Sequence, residues 1–146
     1  MALGDVFDLF RLDNCVSIVT GGSKGLGQAM AHGLAQAGSK TIIVSRTAKD
    51  CDRVSNEVSL DSGKDSIGFA TDVTDEKAVD RLFDYAMDRF ARIDVVINCA
   101  GINIRHLIEE FSLEEWKQVI ETNLTGVWLC CRAAAQVMKP AGRGSV

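Results

Sequence analysis

The stretch Thr20-Gly21-Gly22-Ser23-Lys24-Gly25-Leu26-Gly27 decides the fold. It joins an apolar, strand-like run at residues 15–20 to an amphipathic segment that reads as a helix from Gly25 onward. Glycines at spacing G-x-x-x-G-x-G let a backbone turn tightly, approach a pyrophosphate and pack the next helix close to a sheet. The helix start adds N–H groups that have no partner within the helix, and these favour an anion. Read this way, the turn is a nucleotide site.

The pattern repeats outward from that turn. Strand-length apolar runs at 41–45, 67–70 and 93–99 are each succeeded by a segment of helical period. Strands alternating with helices specify an α/β fold, a Rossmann-type doubly wound parallel sheet covered on both faces. Leu26, Met30, Gly33, Leu34 and Ala37 mark the core face expected of the first helix, with Gly38 as its stop. Cys51, Val54 and Val58 mark that of the second. Val79, Leu82, Phe83, Ala86 and Phe90 mark the third, with Thr74 as expected N-cap. A Ser-x-x-Glu capping box at Ser112–Glu115 opens a long, apolar fourth helix that is expected to end before Pro140. More than one of its faces is apolar, which suggests contact with another subunit. Residues 142–146 read as a turn and the start of a further strand.

Bulk composition limits the alternatives. The chain has 146 residues, 47% of them apolar, and a net charge of −4 with both signs interspersed. That suits one domain over residues 1–146 and disfavours a nucleic-acid surface. No apolar run is of membrane-spanning length, and five cysteines without metal-type spacing read as reduced thiols of a cytoplasmic protein. His106, after the fourth strand, is a solvated loop residue or one that lines a substrate mouth.

The residues at the strand ends carry the chemistry. The second strand ends Ser45-Arg46-Thr47, where an NAD site would place an acid roughly 20 residues past the glycines. Arg46 instead offers a guanidinium fork to a 2′-phosphate, and Lys24 in the turn reaches the same group. Two such contacts at roughly 1.5–3 kcal/mol each favour NADP(H) over NAD(H) at least tenfold. The competing reading makes both residues solvated surface charges. Asp72 is placed to accept from an adenine amino group with Val73 over the ring, or else is a simple turn residue. Small residues in Asn98-Cys99-Ala100-Gly101 let the backbone approach the cofactor ribose, or form an ordinary tight turn.

Together these residues resemble the first part of a short-chain dehydrogenase/reductase. The glycine turn matches that family's T-G-x-x-x-G-x-G, Asp72-Val73 its adenine-site pair, and Asn98-Cys99-Ala100-Gly101 its N-x-A-G loop. Asn123-Leu124-Thr125-Gly126 is similar to its N-x-x-G segment. Within the family the chain looks most like gluconate-type dehydrogenases and 3-oxoacyl reductases. Cys99 departs from the commoner second asparagine. The resemblance implies cofactor contacts from Gly21, Ser23, Lys24, Gly25, Leu26, Gly27, Ser45, Arg46, Asp72, Val73, Asn98, Ala100 and Gly101. It assigns Asn123 to the catalytic set, holding a kinked helix and a water in a proton relay.

The resemblance also implies a longer polypeptide. Family members run to about 250 residues, with a catalytic serine on the fifth strand and Tyr-x-x-x-Lys on the next helix. Tyr85, the only tyrosine, has Arg89 in the fourth place and lies among core positions of the third helix. The chain is therefore expected to be the N-terminal part of an NADP(H)-dependent oxidoreductase, binding cofactor without turnover. The substrate of the longer protein would be a small carbonyl compound or alcohol, and its assembly a homo-oligomer through the fourth helix. The alternative is a naturally short, non-enzymatic nucleotide-binding or interaction module. Strand order 3-2-1-4 is expected, with the fourth strand at an open edge.

Overall fold

The computed structural model describes residues 6–146, and residues 1–5, counted above within the domain, lie outside the described residues. The strands are β1 (Val16–Thr20), β2 (Lys40–Ser45), β3 (Ser66–Ala70) and β4 (Val95–Asn98). All pair in parallel in the order β3-β2-β1-β4, with Ile18 opposite Ile42 and Val96, and Ile42 opposite Ile67. The helices are α1 (Gly25–Gln36), α2 (Ala48–Ser62), α3 (Glu76–Phe90), α4 (Leu113–Ile120) and α5 (Gly126–Ala141). A π turn, Glu121–Thr125, joins α4 to α5.

Alternation along β1 and β2 divides the core into two layers. Val16, Ile18, Ile42 and Val44 face one side with Leu82, Phe83 and Ala86 of α3 and Leu129, Ala133 and Ala134 of α5. Val19 and Ile43 face the other with Ala31 and Ala35 of α1 and Val54 and Val58 of α2. Buried on both faces, these strands are apolar almost throughout, which is why they read as continuous runs.

The expected face of α1 is corrected. Its buried residues are Gly27, Ala31 and Ala35, whereas Leu26 is 73% and Met30 43% exposed. The cause is proximity: a Cβ on Gly27 would collide with the Gly21 carbonyl oxygen. At that spacing only small side chains fit beneath the start of the helix, and Leu26 and Met30 turn outward, while Leu34 of the expected face does pack, half-buried, against the core. The stripes of α2 and α3 are as read, but the N-cap of α3 is Asp75, not Thr74. The Asp75 side chain accepts from Ala78 N at 3.1 Å. Thr74 is held instead by Asp72, whose Oδ1 accepts from its N–H at 3.0 Å and its hydroxyl at 2.8 Å.

The capping box is formed: Ser112 Oγ accepts from Glu115 N, and Glu115 Oε2 accepts from Ser112 N. Pro140 lies inside the last turn of α5 rather than beyond it. Having no N–H, it forfeits one hydrogen bond, the one to the Gln136 carbonyl a turn back. Gly142, left-handed at φ 64°, then ends the helix. Past it, Ser145 makes a parallel bridge to Val95, consistent with a further strand beginning on the β4 edge.

Candidate functional site

The site forms at the carboxyl ends of the strands, and the glycine turn is wedged into it from two sides. Thr20 Oγ1 accepts from the N–H groups of Cys99 and Ala100, both at 3.2 Å, and donates to the Ile97 carbonyl at 3.3 Å. Gly22 N donates to the Val44 carbonyl at 3.1 Å. Gly21 sits at φ 65°, and a Cβ there would lie 2.7 Å from the Cys99 carbonyl oxygen. Glycine is required on both counts, conformation and space.

Below the turn, α1 begins with Lys24 as N-cap, and no side chain caps its first N–H groups. Such a helix start is an open anion site. On the far side, Arg53 of α2 braces the turn by donating from Nη2 to the Ser23 carbonyl at 3.3 Å. Glu57 completes the brace, accepting from Arg53 Nη1 at 2.9 Å and from Gln28 Nε2 at 3.1 Å. Sequence reading missed Arg53; its signal is the i,i+4 pairing with Glu57 on the helix after β2.

A cleft opens above this turn, and nine of the implied residues line it: Gly21, Ser23, Lys24, Ser45, Arg46, Asp72, Val73, Ala100 and Gly101. Val44, Thr47, Asp50, Thr71, Ile102 and Thr122, which sequence reading did not assign, complete the wall. Gly25 and Leu26 stand exposed at the start of α1, and Gly27 is buried beneath the turn, so these three shape the helix start rather than the cleft wall. Among the described residues Lys24 and Arg46 have no ion-pair partner. The Ser45 hydroxyl, in contrast, is engaged locally: it contacts Cys51 Sγ at 3.1 Å and accepts from Thr47 N at 3.3 Å. Asp72 uses Oδ1 on Thr74 and keeps its other carboxylate oxygen open. Buried Val73 packs beneath Gly126, the first residue of α5.

The two asparagines part company. Asn98 turns away from the cleft: its Nδ2 donates to Cys131 Sγ at 3.5 Å, and its Oδ1 is buried without a partner among the described residues. Asn123 sits in the π turn and holds the loop after β4 by both atoms of its amide. Its Oδ1 accepts from Ile102 N at 2.8 Å and its Nδ2 donates to the Ile102 carbonyl at 2.9 Å. Here the helix departs from α geometry as a π turn, of the kind that gathers at functional sites. Within this chain Asn123 is a positioning residue for the loop that carries Ala100 and Gly101. His106 does not line the cleft; its Nε2 lies 3.0 Å from Glu115 Oε1, and its ring meets Phe111 edge-on. Glu115 is held below the usual carboxylate range by the Ser112 hydroxyl and N–H and by His106.

These features fit a dinucleotide cofactor: an uncapped helix start, two unpaired cations at the mouth, and a buried Thr71 hydroxyl in the wall with no partner among the described residues. A second hollow between α3 and α5 offers no such set, since its half-buried cation Arg132 is already bound to Glu76 at 2.6 Å. Among the described residues no group of His, Cys, Asp or Glu is placed to hold a metal ion, and no helix is long and apolar enough to cross a membrane.

The family model described as short chain dehydrogenase matches residues 15–146. The chain belongs to the short-chain dehydrogenase family. It is 36% identical over 132 residues to a 3-oxoacyl-[acyl-carrier-protein] reductase of Synechocystis sp., covering 90% of this chain and 53% of that protein. It is also 36% identical over 140 residues to the gluconate 5-dehydrogenase of Gluconobacter oxydans, covering 95% and 54%. The solved NADPH-dependent 3-quinuclidinone reductase of Rhodotorula rubra superposes with a TM-score of 0.89 at 27% identity, over 99% of this chain and 55% of that one. The chain thus spans about half the length of the curated relatives it matches. As a short-chain dehydrogenase it is an oxidoreductase-family domain, and the relatives include both kinds that its residues resemble.

Proposed function

We propose that this chain is the NADP(H)-binding portion of an oxidoreductase that, in a longer protein, interconverts a small carbonyl compound and its secondary alcohol. The carrying observation is the pair of unpaired cations, Lys24 and Arg46, on one cleft with an uncapped helix start. In this reading the glycine turn and the first N–H groups of α1 hold the pyrophosphate. Arg46 and Lys24 bind the 2′-phosphate, and Arg46 does so with a planar fork that suits phosphate oxygens. The open oxygen of Asp72 accepts from the adenine amino group while Val73 covers the ring. The small residues Ala100 and Gly101 would let the backbone approach the cofactor ribose, on a loop that Asn123 holds through Ile102. The bound nicotinamide supplies or takes up the hydride. Serine, tyrosine and lysine groups of the longer protein, beyond residue 146, would handle the substrate oxygen, so this portion binds without turning over.

The NADPH-dependent 3-quinuclidinone reductase supports a nicotinamide cofactor and its phosphorylated form. Leu113, Trp116, Leu124 and Trp128, all more than half exposed along α4, the π turn and α5, support assembly with a second copy through this helix. Five free thiols support a cytoplasmic location. Calorimetric titration with NADPH and NADH tests the cofactor reading. NADPH is expected to bind at least tenfold more tightly; equal affinities, or a preference for NADH, would show that Lys24 and Arg46 do not read the phosphate.

A further inference from the structure

Besides Asp72, whose Oδ1 is bound to Thr74, the same cleft holds a second acid. Asp50 lies in the first turn of α2, where its N–H donates to the Thr47 carbonyl at 3.1 Å, and its side chain lines the cleft with Lys24, Arg46 and Thr47. It is half-buried, and among the described residues its carboxylate has neither a hydrogen-bond nor an ion-pair partner. An acid in a first turn gains from the helix dipole wherever it points. That gain does not by itself place the side chain in the cleft; Asp52, two residues on and past the first turn, is exposed and lines no part of it. A half-buried, unpaired carboxylate beside two unpaired cations is what a site needs when its ligand brings both a donor hydroxyl and a negative charge.

We propose that Asp50 is a specificity-determining residue that opposes Lys24 and Arg46. Its charge disfavours a 2′-phosphate and its oxygens accept from a free 2′-hydroxyl, so the site admits NAD(H) as well as NADP(H). The two cations leave the balance with the phosphorylated cofactor, by a margin narrower than they would set alone. This inference rests on the cofactor reading above.

Adenosine 2′,5′-bisphosphate and 5′-AMP probe this end of the site without the nicotinamide. Dissociation constants for both are measured on the 146-residue chain, on Asp50→Asn and on Asp52→Asn. D50N is expected to raise the preference for the bisphosphate about 3–10-fold, the effect of removing one unit charge near a partly solvated phosphate. D52N leaves the preference unchanged, since it removes an equal charge from the same helix but outside the cleft. Asp50→Ser, which keeps a hydroxyl in the first turn, moves the preference in the same direction as D50N. An unchanged ratio in D50N and D50S, or an equal shift in D52N, overturns the inference while leaving the cofactor reading intact. Failure of the unaltered chain to bind either nucleotide overturns the cofactor reading and this inference with it.

Discussion

The two ends of the sheet treat polar groups in opposite ways. At the amino ends of the strands they are paired. Asp94, just before β4 and 8% exposed, accepts from Val16 N at 2.9 Å, from Arg92 through Nε at 2.8 Å and Nη2 at 2.7 Å, and from Arg143 at 3.2 Å. Buried hydroxyls also pair there, Ser17 with Ser39 and Thr41 with Ser66, each at 2.7 Å. At the carboxyl ends Lys24, Arg46, Asp50 and the Thr71 hydroxyl have no partner among the described residues. Of these only the Thr71 hydroxyl is buried, where lacking a partner is costly, while Lys24 and Arg46 are exposed and Asp50 half-buried; one end is thus internally paired and the other keeps polar groups open to a ligand.

Substitutions at the two ends should therefore separate stability from binding. Asp94→Ala is expected to lower the unfolding free energy by about 2–3 kcal/mol, since it strands a buried N–H and two guanidinium groups that can partly resolvate. Denaturant titration measures this, and a loss under about 1 kcal/mol would break the contrast. Arg46→Ala should do the reverse: at least a tenfold loss of NADPH affinity, with stability changed by no more than about 0.5 kcal/mol. Asn123→Ala falls between them. Losing both bonds to Ile102 should cost about 1–2 kcal/mol and speed hydrogen exchange at the Ile102 amide. If exchange there is unchanged, the loop does not depend on Asn123.

Acid should weaken the paired end first. Burial pushes the Asp94 carboxyl up, but the Arg92 hydrogen bond, the Val16 N–H and the charges of Arg92 and Arg143 together outweigh it, leaving its pKa lowered. A carboxyl depressed in the folded state contributes stability that is complete above its unfolded pKa, about 3.9, and is lost as pH falls through the folded value. The stability gap between the unaltered chain and Asp94→Asn should thus shrink as pH falls from about 5 towards 3, measured by denaturant midpoints. A gap that holds constant would deny the clamp. The smallest expected signal is chemical. Burial pushes the Cys130 thiol up to about 11, with Cys131 adding to the shift, so Cys130 should resist alkylation at about pH 8 in the folded chain. Mass mapping after brief labelling checks this, and rapid modification of Cys130 would mean that α5 does not lie closed on the sheet.

Legibility tracked the range of the interactions. The strands were readable because residues buried on both faces leave uninterrupted apolar runs, and the order β3-β2-β1-β4 came from resemblance. The α1 face was misread because periodicity records how apolar a side chain is but not how far its helix stands from the sheet. The N-cap of α3 was misplaced by one residue because Asp72 claims Thr74 through a local turn. Asn98 had the right neighbours in sequence, yet its amide points to Cys131, a contact spanning 33 residues. Arg53 and Asp50 drew no sequence reading, because their places depend on how α2 is set against the turn.

By itself the sequence determined the parallel α/β framework, the turn at residues 20–27 and the family, because these depend on local conformation and on short motifs with a steric reason. Which charges are spent and which are free was decided only by the tertiary structure. Asp94 and Asp50 are the same residue type; Arg92, two residues before Asp94, is a local partner, but the rest of the clamp, Val16 N and Arg143, is far off in sequence. The difference lies in what the fold brings to each: the start of β1 and Arg143 to Asp94, and open cleft to Asp50.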